Sequence, residues 1–322
     1  MSVYNGEQWL SESIASVLNQ TFNKFEFIII NDGSKDSSLK VLKKYASKDQ
    51  RIKIIDKANT GLTDSLNVGI KYAQGEWIAR IDCDDLCEPN RLAFQYAMAE
   101  TDTKLVLIGS GATYIDINGK IIRTLSYPQK HKTLVQHLIF KNKAFFAHSS
   151  AFMKTSAVLH IQGYRTRLRR SQDSDLWLRM STIGKISSHI KPLVKIRKHQ
   201  KQVSNEDGGE RQIIDSRTAL VSYILKQRGY PDPLCDKNSE TEFQAFWAFV
   251  KKGVEDCELV KFRQFIEQIK NLWRSPDLEI KALALKRVLS NPFFVVRFFK
   301  ECVFGERLAE KLCEKWIYQK KV

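Results

Sequence analysis

Between residues 5 and 85 the chain alternates helical spacing with short apolar runs, and this alternation restricts the fold more than any other feature. Asn5 to Phe22 sets Trp9, Leu10, Ile14, Val17 and Leu18 at helical spacing, with Asn5 as a suitable N-cap. Phe25-Glu26-Phe27-Ile28-Ile29-Ile30 is a short apolar run that suits a buried parallel strand. Asn31-Asp32-Gly33-Ser34 reads as a turn, followed by a helix with Leu39, Leu42, Tyr45 and Ala46 on one side. Ile52-Lys53-Ile54-Ile55 predicts the next strand, Leu62 to Ala73 the next helix, and Glu76 to Ile81 another strand. Strands and helices in alternation predict an α/β domain with a largely parallel sheet. Ligands of such sheets bind beyond the carboxyl ends of the strands. Asn31-Asp32 and Asp82-Cys83-Asp84 stand at those ends, so the two acidic turns are expected to share one crevice.

Asp82, Asp84 and Asp85 crowd three carboxylates directly after the strand that ends at Ile81. Such groups repel one another unless a hard cation takes the charge. Mg²⁺ and Mn²⁺ prefer oxygen ligands, and Mg²⁺ characteristically takes one or two carboxylates together with substrate phosphates. On local grounds the cluster is either a metal–diphosphate handle or an acidic surface turn.

The order of the motifs carries a resemblance. Ser2-Val3-Tyr4-Asn5-Gly6-Glu7 comes first, then Ser16-Val17-Leu18-Asn19-Gln20-Thr21-Phe22, Asn31-Asp32-Gly33-Ser34 and Gly75 to Asp85. Further on stand Gly163-Tyr164, Gln172-Asp173-Ser174-Asp175-Leu176-Trp177 and Arg197-Lys198-His199. Over about residues 1–205 the chain resembles the family 2 glycosyltransferases, in particular those of bacterial surface-polysaccharide and lipopolysaccharide synthesis. The resemblance implies a GT-A (Rossmann-like), mainly parallel sheet with flanking helices, and an inverting transferase that uses a nucleotide sugar. It implies transfer of a hexose or N-acetylhexosamine from a UDP-sugar to a hydroxyl of a glycan or glycolipid, assisted by Mn²⁺ or Mg²⁺.

The resemblance also implies roles. Ser2, Tyr4, Asp32, Asp82 and Asp84 would contact the nucleotide sugar, with Asp32 against the uracil. Asp84 would be the direct metal ligand and Asp82 a second group on metal or ribose, with Asp85 supporting the loop. His199 would be a third ligand or a diphosphate contact. Asp173 would be the general base, and Asp175 is the rival base or a first-turn residue favouring the helix dipole. His148 matches a family position on the acceptor side, or is a satisfied structural histidine. Three departures stand out. The chain begins at Met1-Ser2-Val3-Tyr4, so most of the family's hydrophobic first strand is expected to be missing. Asn31 replaces an acid, and Gln172 replaces a glutamate.

Charge divides the first 205 residues. Residues 120–205 carry 18 Lys and Arg against the two acids Asp173 and Asp175, within a chain of net charge +16. That field suits an acceptor bearing phosphate or carboxylate groups, an anionic membrane face, or plain solvation. The nucleotide half is expected over about 1–119 and the acceptor half over about 120–205. Beyond Ser204-Asn205-Glu206-Asp207-Gly208-Gly209-Glu210 a mostly helical extension is expected over 206–322. Its predicted helices are Ala219–Lys226, Phe243–Lys252, Val260–Trp273 and Ile280–Leu289, and then an aromatic and basic stretch from Phe293 through Phe304 to Trp316. Six cysteines form no Cys-x-x-Cys pair and read as reduced thiols, and no run reaches a membrane-spanning length. A cytoplasmic protein, peripheral on the inner membrane face, is the expectation. Competing readings are a catalytically impaired scaffold of the same fold, a basic nucleic-acid-binding protein without a recognisable module, and a nucleotidyltransferase that leaves Asp173 and His199 unexplained.

Overall fold

The computed structural model describes residues 1–141, 146–200, 202, 209–235, 237–256 and 308–320. They fall into two compact units, Met1–Leu138 with Ala144–Gln202 and Ile139–Lys143 with Val203–Val322. In the first unit β1 (Ser2–Val3), β2 (Phe27–Asp32) and β3 (Ile52–Lys57) form a parallel sheet in the order β1-β2-β3. α1 (Glu7–Leu18), α2 (Ser38–Ala46) and α3 (Leu62–Tyr72) connect and cover it. β2 is buried along most of its length, as its continuous apolar run requires of a strand covered on both faces. Val3, Leu10, Ile14, Phe27, Ile29, Leu42 and Ile81 form one core.

A second, mixed sheet follows: β4 (Trp77–Ala79), β5 (Leu86–Cys87), β6 (Leu105–Ile115), β7 (Ile121–Leu125), β8 (Phe152–Lys154) and β9 (Lys185–Arg197). Its order is β4-β8-β6-β9-β5, with β7 beside β6. β6 and β9 run parallel, and the other pairs are antiparallel. The parallel character read from the sequence therefore belongs to the first sheet. Pro192 lies inside β9, opposite Gly111, where the register shifts; proline cannot donate to the ladder. α4 (Arg91–Thr101), α5 (His131–Lys141), a 3₁₀ turn at His148–Ser150, α6 (Thr155–His160) and α7 (Gln172–Met180) complete the unit.

Two local expectations change. Asn5 is not the cap of α1: its φ is 51° and its side chain accepts the Lys35 N–H at 2.8 Å, while Gly6 stands at the N-cap. Asn tolerates this left-handed conformation because its short polar side chain bonds locally. Asn31 and Asp32 are the last residues of β2, and they are extended rather than turned.

In the second unit, the helices expected at Ala219–Lys226 and Phe243–Lys252 lie inside longer ones, α8 (Glu210–Gln227) and α9 (Glu240–Asp256). Residues 308–320 are helical, and Trp316 packs on Phe246 and Phe249 at ring distances of 5.0 and 5.1 Å. Buried Asp215 accepts hydrogen bonds from Trp247 Nε1 at 2.8 Å and Arg211 Nε at 3.1 Å. The predicted Val260–Trp273 and Ile280–Leu289, the stretch from Phe293 to Phe304, and residues 204–208 of the expected boundary lie outside the described residues. Among the described residues no helix is long and apolar enough to cross a membrane.

β1 is two residues long, and the chain terminus lies inside the unit. The Met1 ammonium donates to Ile28 O at 3.0 Å, and Ile30 N donates to Met1 O at 2.9 Å. Burial first, and then the charge of Arg80, lower this amine from 8.0 to about 5. Between pH 5 and 8 the unfolded chain binds more protons at this group, so its contribution to stability rises with pH across that window. Acetylating the N-terminus removes the charge, so the stability gap between acetylated and unmodified protein should widen as pH falls from 8 to 5.5. Urea unfolding at both pH values measures the gap; a gap of equal size at both contradicts the burial of this amine.

Candidate functional site

The turns after β1 and β2 are tied together. Asn5 N donates to Ser34 Oγ at 3.1 Å and Gly6 N to Ser38 Oγ at 3.0 Å, while Ser37 N donates to Glu7 Oε2 at 2.7 Å. Ser2 is half-buried on β1, and Tyr4 is 51% exposed. Asp32, buried at the end of β2, faces the loop after β3. Its Oδ1 accepts Lys57 Nζ at 2.5 Å and Thr60 N at 3.0 Å, and its Oδ2 accepts Gly61 N at 3.0 Å. Burial alone would raise this carboxyl, but the Lys57 and backbone hydrogen bonds outweigh it and hold the group below the ordinary range. The turn after β1 also reaches the acidic cluster: a Cβ on Gly6 would lie 2.9 Å from Cys83 Sγ, and Ser13 of α1 donates to Asp82 O at 3.1 Å.

Each carboxylate of the cluster is hydrogen-bonded, and Asp82 and Asp85 share Ser149. Asp82 is gripped by both terminal nitrogens of Arg80, a guanidinium that is only 4% exposed. Ser149 Oγ lies 3.0 Å from Asp82 Oδ2 and also donates to Asp85. Asp85 accepts Arg197 N at 2.9 Å through its other oxygen. Asp84 lies 2.8 Å from His199 Nε2. Ligand oxygens of Asp82, Asp84 and Asp85 all come within 4.8 Å of one another. Burial and the Asp82 charge push Asp84 above the ordinary carboxylate range, against the His199 hydrogen bond. Burial, and then Asp84 and Asp82, hold Asp85 well above it. The site is thus short of positive charge, and a divalent cation would relieve it with hard oxygen donors and one imidazole. His199 is also held by Trp9, with ring centroids 4.4 Å apart, and Arg197 reaches Glu12 Oε2 at 2.6 Å.

The two late acids separate in role. Asp173 is the second residue of α7, and its Oδ1 accepts Ser174 N at 2.8 Å. Burial raises it above the ordinary range; the Arg80 charge opposes and the Asp82 charge adds to the rise. Asp173 therefore shares the electrostatic field of the acidic cluster. Asp175 is 2% exposed and clamped by Arg165 at 3.1 Å and Arg179 at 2.7 Å. Arg179 goes on to bond Ile161 O and Gly163 O, so Asp175 anchors the preceding loop to α7. His148 packs edge-on against Trp177, with Nε2 2.6 Å from Tyr164 Oη. Burial and the Arg80 charge hold it well below its usual range, so it is neutral.

Arg80, Ser149 and Tyr164 join this site although sequence reasoning assigned them no role. Arg80 had a readable signal, since residues two apart in an extended chain face the same side, as Arg80 and Asp82 do. Ser149 is 67 residues from Asp82 and had none.

A family model described as glycosyl transferase family 2 matches residues 1–161. O-antigen biosynthesis glycosyltransferase WbnJ of Escherichia coli is 38% identical over 181 residues, covering 56% of this chain and 69% of WbnJ. EpsE of Bacillus subtilis (strain 168) is 37% identical over 192 residues, 57% of this chain. The chain spans 66% of EpsE and 65% of an uncharacterized glycosyltransferase of Haemophilus influenzae, a little under two thirds of each. Among solved structures, TarS of S. aureus in complex with UDP-GlcNAc superposes with a TM-score of 0.58 at 16% identity, over 99% of this chain and 90% of that one. The mannosyltransferase PcManGT of Pyrobaculum calidifontis, in complex with GDP-Man and Mn²⁺, gives 0.54 at 14% identity, over 97% and 85%. These likenesses show a GT-A fold.

Removing one partner of a buried ion pair strands the other charge. Arg80→Met should therefore destabilise the first unit by about 2–3 kcal/mol, discounted because Asp82 is partly solvated. Asp82→Asn in that background should recover part of the loss. Urea unfolding of the four members of the cycle gives the coupling; additive losses would contradict the pair.

Proposed function

The chain belongs to glycosyl transferase family 2, and on that footing we propose that it transfers a hexose or N-acetylhexosamine from a UDP-sugar to a hydroxyl of a surface glycan or glycolipid, with inversion. The observation that carries this reading is the acidic cluster at the end of β4: three carboxylates within 4.8 Å, two of them pushed upward, beside an imidazole. The names of WbnJ and of the TarS complex support the acceptor class and the UDP donor.

Asp84 and His199 would hold the cation, with Asp82, kept by Arg80, acting on the cation or on the ribose. A divalent ion bound there supplies Lewis-acid stabilisation to the diphosphate leaving group. Asp85 and Ser149 brace the loop through Arg197 N and Asp82. Ser2 and Tyr4 flank the nucleotide. Asp32, oriented by Lys57 and by Thr60 N and Gly61 N, would stand against the uracil. Asp173 takes the proton from the acceptor hydroxyl, and its raised pKa makes it a stronger base than an ordinary carboxylate. Attack from the side opposite the leaving group in a single displacement gives inversion. Asp175, held by two guanidiniums, is a positioning group. His148, neutral and bonded to Tyr164, shapes the acceptor side.

The basic stretch over residues 120–205 supports an acceptor carrying phosphate or carboxylate groups, with peripheral attraction to anionic bilayers at the cytoplasmic face. Co-sedimentation with anionic vesicles should weaken sharply as salt rises, and equal binding to neutral vesicles would remove the electrostatic attraction.

Asp84→Asn should cost on the order of a hundredfold or more in turnover and abolish the cation dependence of UDP binding, because an amide is a weaker ligand. Activity near that of the parent in excess Mn²⁺ would take Asp84 out of the site. Asp173→Asn should keep cation-dependent UDP binding while losing transfer. In the parent, kcat/KM should fall toward acid with its midpoint above the ordinary carboxylate range, since Asp173 must be ionised to act. A pH profile with that limb unchanged in Asp173→Asn would assign the base elsewhere.

A further inference from the structure

The hairpin of β6 and β7 starts beside the candidate site. Lys198 N donates to Ile115 O at 2.8 Å and Arg197 Nη1 to Ile117 O at 3.3 Å, so its base is tied to the segment that carries His199. Asp116 closes the turn: its carboxylate accepts Asn118 N and Lys120 N, both at 2.9 Å. Gly119, with a φ of 83°, supplies the left-handed residue that the turn requires. The hairpin is thus a formed element, yet what it presents is apolar. Ile117, Ile121 and Ile122 are each more than half exposed. Neighbouring residues of a strand point to opposite faces, so Ile121 and Ile122 leave the start of β7 apolar on both sides. A strand docked on its own sheet layer buries one face and carries polar residues on the other. β7 pairs with β6 along Ala112–Ile115, and among the described strands it has no second neighbour. Cations stand close to this tip. Lys120 lies in the turn, and Arg123 and Lys198 lie over the Tyr114 ring at 4.5 and 5.3 Å. Asp116 is the only acid between residues 103 and 172, and backbone donors occupy its carboxylate.

We propose that this hairpin is a membrane wedge: Ile117, Ile121 and Ile122 enter the boundary between headgroups and acyl chains of an anionic bilayer, with Lys120, Arg123 and Lys198 at the lipid phosphates. A lipid surface suits the tip better than a protein surface does. Lipid surrounds an apolar element on both sides, whereas a docked protein covers one. Binding of such an element grows with the apolar area it buries and with its attraction to anionic lipid. The three cations supply that attraction over about a Debye length. Tyr114, between two of them, has the apolar body and polar tip that suit a membrane interface. The base of the hairpin is bonded to Arg197, whose own N–H donates to Asp85 at 2.9 Å. Insertion would therefore hold the acidic cluster close to the bilayer, where the hydroxyl of a lipid-anchored acceptor stands. That last step rests on the glycolipid reading proposed above; insertion itself does not.

The test uses the full chain with vesicles of phosphatidylcholine mixed with phosphatidylglycerol. Amides of residues 117–124 should exchange at least about tenfold more slowly on these vesicles than in solution. Ile121→Asn combined with Ile122→Asn should weaken co-sedimentation by on the order of tenfold, the scale of partial burial of two such side chains. The thermal midpoint of this double variant should stay at that of the parent, since both side chains are exposed. Ile122→Trp, which keeps an apolar interfacial group, should bind at least as well as the parent. Equal sedimentation of parent and double variant, or unchanged exchange at 117–124 on vesicles that do bind the chain, would overturn the wedge and leave the electrostatic attraction of residues 120–205 standing. No sedimentation of the parent at low salt would overturn both. Slow exchange at 117–124 without lipid, or a parent dimer that the double variant turns into a monomer, would assign the hairpin to a protein contact and overturn the proposal. Insertion without transfer to any lipid-borne acceptor would support the wedge and remove the glycolipid reading.

Discussion

The balance of charge between Arg80 and the three carboxylates that follow it is the constraint on which the site depends. A guanidinium with 4% exposure cannot stand alone, and neither can three acids within 4.8 Å of one another. Arg80 neutralises one acid and is itself oriented by Ser149 at 3.0 Å. Asp84 and Asp85 remain, both raised first by burial, Asp84 then by the Asp82 charge and Asp85 by the charges of Asp84 and Asp82. Behind the leading effect of burial, the same guanidinium adds to the depression of His148 and opposes the rise of Asp173, so one buried cation is felt on separate segments. What is left over is a shortage of positive charge at Asp84 and Asp85, on which the proposed cation site rests.

The fold supplies the geometry for this balance. β4 delivers Arg80 and Asp82 on one side of an extended chain. The 3₁₀ turn at His148–Ser150 brings Ser149 to them, and the end of β9 brings Arg197 and His199. α7 contributes Asp173 in its first turn, with Asp175 pinned to the loop before it. These segments are far apart in sequence, and they meet because β6 lies between β8 and β9 in one sheet.

How much of this was legible follows from distance along the chain. The strands β2 and β3, the helices α1 to α3 and the acidic cluster were readable, because period and turn chemistry are local. The capping role of Asn5 was misread, since its side chain serves a turn 30 residues away. Asp173 and His199 were reached through motif resemblance, and their electrostatic link to Asp82 and Asp84 appears only once the sheet is assembled. Ser149 carried no readable sign, because a serine between a histidine and another serine looks like any polar turn. The mixed pairing of the second sheet was equally hidden, because the partner and direction of each strand depend on the crossings between them.

The central claim is that the Asp84–His199 corner binds a divalent ion together with a nucleoside diphosphate. Titration of the chain with Mn²⁺, read by loss of the free-ion paramagnetic resonance signal with and without UDP, tests it directly. The account predicts one ion bound per chain when UDP is present, and UDP affinity at least about tenfold weaker once the ion is chelated, as expected when a cation bridges phosphate and carboxylate. UDP binding of equal strength in excess chelator would contradict it.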